Sequence, residues 1–233
     1  MIGFDPMYMM FVLPAMLLAV FAQFRVKSAY ARASQIPSRS GLTGAQAASQ
    51  ILAANGISNV KIELAQGFLG DHYDPKAKAL RLSQDVYHGS SLASLGIAAH
   101  EVGHALQDKE RYGPLVIRNG IVPLAAIGSN LSYFLIFLGF AMGALGFVML
   151  GIALFSLTVI FQLINLPVEF DASSRAKTIL VNRGMILGDE EREVSSVLSA
   201  AALTYVAATI SSILTLLYYL WRAGLLGGSR QEN

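Results

Sequence analysis

The stretch NGIVPLAAIGSNLSYFLIFLGFAMGALGFVMLGIALFSLTVIFQLINLPV, residues 119–168, contains no Asp, Glu, Lys or Arg in 50 positions. As one helix it would be about 75 Å long, against a bilayer hydrocarbon core of about 30 Å. A single crossing is too short to use it, and a solvated loop cannot be built from it. It reads as two crossings, a helical hairpin turning near Ala141 to Gly146. Two more apolar runs flank it: Pro6 to Phe24, 19 charge-free residues, and Val194 to Trp221, 28 charge-free residues. Each crossing takes about 20 residues, so four transmembrane helices are expected.

Composition agrees. Of 233 residues, 54% are hydrophobic and 14% charged, with a mean hydropathy of +0.52; a soluble domain carries about 25% charged residues. This excludes an ordinary soluble globular protein and a disordered chain. The net charge of +2 is too small for a phosphate-binding surface, so no nucleic-acid partner is expected. The absence of cysteine excludes a disulfide frame, a thiolate metal site and a cysteine nucleophile. The first apolar run is preceded only by Asp5, not by a basic region, and no small-residue cleavage site stands before Arg25 and Lys27. It reads as a retained anchor rather than a signal peptide.

Residues 25–118 hold eleven of the seventeen Lys and Arg, residues 169–193 four more, and the hairpin turn none. Two crossings separate the two basic segments, which puts them on one side, and the positive-inside bias makes that side cytoplasmic. Within 25–118, Thr43-Gly-Ala-Gln46 has the form of a capping box, followed by an apolar stripe of Ala47, Ala48, Ile51 and Leu52 and a stop at Gly56. Val60–Leu64 and Lys78–Ser83 alternate as strands around an Asp74-Pro75 turn. Ser90 or Ser91 can cap a helix running through Gln107.

That helix contains His100-Glu101-Val-Gly-His104. One turn brings His100 and His104 to the same face, where both imidazoles can reach one tetrahedral zinc. Glu101 is offset by about 100°, close to a zinc-bound water without being a ligand. Zinc lowers the pKa of such a water to about 7, and a nearby carboxylate can take its proton and pass it to a leaving amine. The bland alternative is a membrane-proximal helix with incidental histidines.

Catalytic zinc usually keeps three protein ligands. The leading candidate for the third follows the hairpin in Pro167-Val-Glu169-Phe-Asp171-Ala-Ser-Ser-Arg175. Pro167 can open a new helix at its first position, with Glu169 in the first turn, and topology returns Glu169 to the side of His100. Asp171 competes for the role. For both, the bland reading is a charge complementing a helix N-terminus.

His100–Gln107, a two-span hairpin, Asn165–Arg175, Asn182-Arg-Gly and Leu198–Ala207 together resemble the bacterial membrane-bound neutral zinc metallopeptidases of the YugP-like family, along nearly the whole chain. More distantly they are similar to the HtpX-like and CAAX-prenyl endopeptidases, which also place two spans between H-E-x-x-H and a ligand Glu within E-x-x-x-D. Glu169 matches that Glu, and the Asp falls at Ser173. The resemblance implies a mainly α fold: an integral membrane protein of about four transmembrane helices with a zincin-like α+β catalytic subdomain. The expected organisation is an anchor at 1–24, a cytoplasmic zincin-like segment at 25–118, the hairpin at 119–168, a ligand-Glu helix and loop at 169–193, and a fourth span with a short tail at 194–233. In zincin-like peptidases a strand such as Lys78–Ser83 often forms the cleft edge and pairs with extended substrate.

The expected function is a zinc endopeptidase of the gluzincin type in the cell membrane. Its expected partners are the lipid bilayer and a membrane-proximal polypeptide substrate, cut at the cytoplasmic surface. The alternative is a catalytically silent, zinc-stabilised membrane scaffold, which needs no Glu101. The uncharged run Gly89–Ala99 is too short to take the motif through a bilayer. His72, His88, Tyr87 and Arg175 are oxyanion-donor candidates by type. Asp189 to Glu193 reads as a helix start capped by Asp189 rather than an acidic recruitment patch. Gly139, Gly143, Gly146 and Gly151 suit packing of the hairpin on itself, with homo-oligomerisation as the alternative.

Overall fold

A computed structural model describes residues 5–65 and 70–226. In chain order its elements are α1 (Pro6–Ser34), α2 (Gly44–Ala54), β1 (Lys61–Leu64), β2 (His72–Asp74), β3 (Ala79–Leu82), α3 (Gln84–His88), α4 (Leu92–Lys109), α5 (Gly113–Met142), α6 (Leu145–Asn182) and α7 (Asp189–Arg222). The fold is mainly α. Among the described residues, α1, α5, α6 and α7 are long and apolar enough to cross a membrane. The chain divides into two compact units, one of Met1–Phe21, Ile117–Leu166 and Tyr205–Asn233, the other of Ala22–Val116 and Pro167–Thr204.

The first unit leaves large apolar side chains such as Met10, Leu17, Val20, Phe134 and Phe137 exposed. Such a surface would aggregate in water and is solvated by lipid tails in a bilayer. The hairpin turns at Gly143, whose φ of +66° a residue with a Cβ would resist. Gly139 and Gly151 face the opposite helix: a Cβ there would fall 2.7 Å from the Val148 nitrogen and 3.0 Å from the Ile136 nitrogen, respectively. These two glycines therefore serve close packing of the hairpin on itself. Where α1 begins and α7 ends, Asp5 accepts hydrogen bonds from the Tyr218 hydroxyl at 2.7 Å and from Arg222 at 2.9 Å.

The second unit grows from local signals. The Thr43 hydroxyl accepts from the Gln46 N–H and the Gln46 side chain accepts from the Thr43 N–H, so the capping box forms. Ala47, Ala48, Ile51 and Leu52 are buried against Leu92, Leu95, Ala98 and Val102 of α4, which Ser91 caps through the Ser94 N–H. The sheet has the order β1-β3-β2, with β1 parallel and β2 antiparallel to β3.

Three local expectations are corrected. The strand within Lys78–Ser83 is the central one, β3, paired on both sides, and so cannot be the cleft edge. β2, three residues long and too short for alternation to reveal, takes an outer position. Pro167 does not open a helix; it lies inside α6, which runs unbroken from Leu145 to Asn182. An interior proline forfeits one helical hydrogen bond, a loss that membrane helices tolerate through neighbouring polar groups. Glu169 and Asp171 are thus mid-helix, and the helix N-terminus explanation of their charge is removed. Finally, Asp189 is the first residue of α7 rather than its cap. The neighbouring Glu190 carboxylate accepts from the Leu187 and Arg39 N–H groups.

Candidate metal and catalytic site

All the side chains of the site belong to the second unit, on α4, β2 and the part of α6 after Pro167. Gly103 sets the distance between the two helices. A Cβ on it would lie 2.7 Å from the Ala172 carbonyl oxygen and 3.1 Å from the Ala172 Cα, so α4 and α6 touch backbone to backbone.

That closeness brings His100, His104 and Glu169 together. Glu169 Oε2 lies 3.3 Å from His100 Nε2 and 3.5 Å from His104 Nε2, and the two rings meet edge to face with centroids 4.8 Å apart. One donor atom from each residue falls within 4.8 Å of the others. A tetrahedral zinc with ligand distances of about 2.0–2.1 Å holds its ligand atoms about 3.3–3.4 Å apart, so both contacts to Glu169 are the length of a tetrahedron edge. The donor set is two imidazoles and a carboxylate, a zinc combination. His104 and Glu169 are buried, at 7% and 4% exposure. Burial alone would lower the His104 pKa; the adjacent Glu169 acceptor and the Glu101 and Glu169 charges outweigh it and raise the pKa above the ordinary value.

Glu101 is buried on the neighbouring flank of α4. Its Oε2 accepts the backbone N–H of Tyr73 at 3.0 Å, and the Tyr73 hydroxyl donates to Asp108 at 2.6 Å. Glu101 and Asp108 are seven residues, two helical turns, apart, so β2 is fastened to one flank of α4 at two points. Burial and then the Asp108 contact push the Tyr73 hydroxyl pKa up, so it stays protonated.

The outer nitrogen of each histidine also has a partner. His104 Nδ1 meets Gln107 Oε1 at 2.9 Å, and His100 Nδ1 meets Ser173 Oγ at 3.1 Å. Asp171 is not among the converging donors. It accepts from Gln107 Nε2 at 2.8 Å and from Arg175 Nε at 2.6 Å, and Arg175 also pairs with Glu110 at 2.7 Å. Arg175 is thereby committed to carboxylates rather than offered to a substrate oxyanion. His72 is engaged with the Gly70 carbonyl and Arg81, and His88 with the Tyr87 ring; neither joins the cluster. Sequence reading missed Gln107 and the Tyr73 N–H. Gln107 had a signal: it is three residues after a candidate ligand on a helix, where a side-chain partner can reach it. The Tyr73 N–H had none, because a backbone group leaves no trace in residue identity.

A family model described as "Putative neutral zinc metallopeptidase" matches residues 8–224. The chain belongs to this neutral zinc metallopeptidase family, the YugP-like family of membrane proteins. Among curated relatives it is 47% identical over 227 residues to "Putative membrane protease YugP" of Bacillus subtilis (strain 168), a match covering 97% of this chain and 100% of that protein. No solved structure matches. Zinc is the metal such a family implies, and His100, His104 and Glu169 form a group that could hold it.

Proposed function

We propose that the protein is a membrane zinc endopeptidase of the gluzincin type, in which His100, His104 and Glu169 hold the metal and Glu101 is the general base. The observation that carries this reading is the convergence of the two motif histidines with a carboxylate 65 positions beyond His104 in the chain, with Glu101 held beside them. Zinc, when bound, supplies the Lewis acidity that activates water and polarises the scissile carbonyl. The Glu101 carboxylate accepts the proton of the attacking water and delivers it to the nitrogen of the leaving amine. The Tyr73 N–H occupies one carboxylate oxygen and leaves the other for that proton. Substrates are polypeptides at or near the membrane, which an anchored enzyme meets most often. The active face is cytoplasmic, supported by the Lys and Arg bias of residues 25–118 and 169–193.

The test is metal content and peptide cleavage by the detergent-purified protein, wild type against Glu101→Gln and Glu169→Ala. Glu101→Gln is expected to keep zinc and lose cleavage, and Glu169→Ala to lose zinc affinity. Cleavage that survives Glu101→Gln refutes the general-base role. Zinc content unchanged in Glu169→Ala refutes the ligand role.

A further inference from the structure

Gln107 is fully buried, at 0% exposure, one turn beyond His104. A buried primary amide has an oxygen that only accepts and a nitrogen that only donates, and both need partners. The nitrogen faces two acceptors, the Val168 carbonyl oxygen at 2.8 Å and the Asp171 carboxylate at 2.8 Å. The amide cannot be turned over without setting its oxygen against both. Its Oε1 is therefore fixed toward His104 Nδ1, at 2.9 Å. Since Oε1 cannot donate, Nδ1 carries the hydrogen. The lone pair of a neutral His104 then sits on Nε2, the nitrogen 3.5 Å from Glu169 Oε2. Asp171 is itself held by Arg175 at 2.6 Å.

We propose that Gln107, locked by Val168 and by the Asp171–Arg175 pair, is a positioning residue that fixes the tautomer and ring plane of His104 and so presents Nε2 to the zinc. This rests on His104 being a zinc ligand. His100 differs: its outer partner, the Ser173 hydroxyl, can donate or accept and so dictates no tautomer. The two histidines are controlled unequally, and metal affinity depends more on Gln107 than on Ser173.

Zinc affinity of the full-length protein in detergent, measured by competition with a chromophoric chelator, tests this without any activity assay. Gln107→Met keeps the volume and removes the hydrogen bonds; it is expected to weaken zinc binding about 10- to 100-fold, and Ser173→Ala less. Wild-type affinity in Gln107→Met, or an equal loss in Ser173→Ala, overturns the proposal. His104→Ala separates the two levels: if it binds zinc as wild type does, the ligand assignment itself fails; if it loses zinc while Gln107→Met does not, only the positioning role fails. Should Gln107→Met not fold, ¹⁵N-histidine spectra of the zinc-loaded wild type decide the matter. A protonated Nδ1 on His104 is expected, and a protonated Nε2 overturns the proposal.

Discussion

The contact between Gly103 and Ala172 makes Gly103→Ala a demanding test of the site. The new Cβ would stand 2.7 Å from the Ala172 carbonyl oxygen, whereas an unstrained carbon–oxygen contact needs about 3.3 Å. The shortfall of about 0.6 Å falls on backbone, so no rotamer change relieves it, and α4 and α6 must move apart. Overpacking of this kind costs about 1–3 kcal/mol, and the better helix propensity of Ala returns about 1 kcal/mol, leaving a net loss of roughly 0–2 kcal/mol. The metal group is the more sensitive reporter. Metal–ligand distances tolerate about 0.2 Å, so if these three hold the zinc as proposed, the same separation between the histidines and Glu169 should weaken zinc binding at least about tenfold although none of the three is changed. Gly96→Ala is the control. Its Cβ would meet only the Val194 side chain, at 3.2 Å, and no backbone, so stability should change by no more than about 1 kcal/mol with zinc binding unchanged. The assays are thermal melting and chelator competition in one detergent. Wild-type zinc affinity and melting temperature in Gly103→Ala would refute the reasoning that backbone contact at Gly103 sets the geometry of the His100, His104 and Glu169 group.

Further outcomes are expected elsewhere. Tyr73→Phe removes the hydroxyl that donates to Asp108 and should cost about 1–2 kcal/mol in thermal or chemical unfolding while zinc affinity stays at wild type, because the backbone N–H to Glu101 remains. The Asp71 carboxyl is pushed above its ordinary 3.8, burial outweighing the hydrogen bonds from Ser83. Its contribution to stability is therefore complete at pH below 3.8 and is lost as pH rises through the folded value. Asp71→Asn should flatten that part of the profile of melting temperature against pH, and an unchanged profile would contradict the burial argument. The chain has no cysteine, so Lys61→Cys on exposed β1 offers a single thiol to a membrane-impermeant maleimide. Labelling is expected only after the cells are permeabilised, and labelling of intact cells refutes the cytoplasmic face.

Much of this was legible in the sequence because its signals are local or arithmetic. Charge-free length specifies the crossings, the Thr43–Gln46 box and the Ser91 cap specify helix starts, and i, i+4 spacing places the two histidines. What escaped is what depends on partners distant in sequence. β2 is three residues long and exists because β3 and α4 hold it. β3 is central because β1 and β2 flank it, and no property of Lys78–Ser83 itself says so. Pro167 carries a local signal that tertiary context overrides, since a rule for helix starts in water is weak where the helix arrives already formed from 22 preceding residues.

The continuity of α6 across Pro167 explains why Glu169 and Asp171, two residues apart, take different roles. At about 100° per residue, Glu169 and Ser173 point within about 40° of each other, and these two meet His100 and His104. Val168, Asp171 and Arg175 cluster on a second arc of about 60°, and these meet Gln107 and Glu110. Ala172 lies between the two arcs, and it is the residue that touches Gly103. The same count on α4 places the histidines centrally, Gly103 and Gln107 on the flank toward α6, and Glu101 and Asp108 on the flank toward β2. Asp171 could replace Glu169 only if α6 rotated by about 160°, which would carry Ala172 off Gly103 and turn Ser173 away from His100. Which carboxylate joins the two histidines is thus chosen by helix phase, and that phase is set where α4 and α6 touch at Gly103.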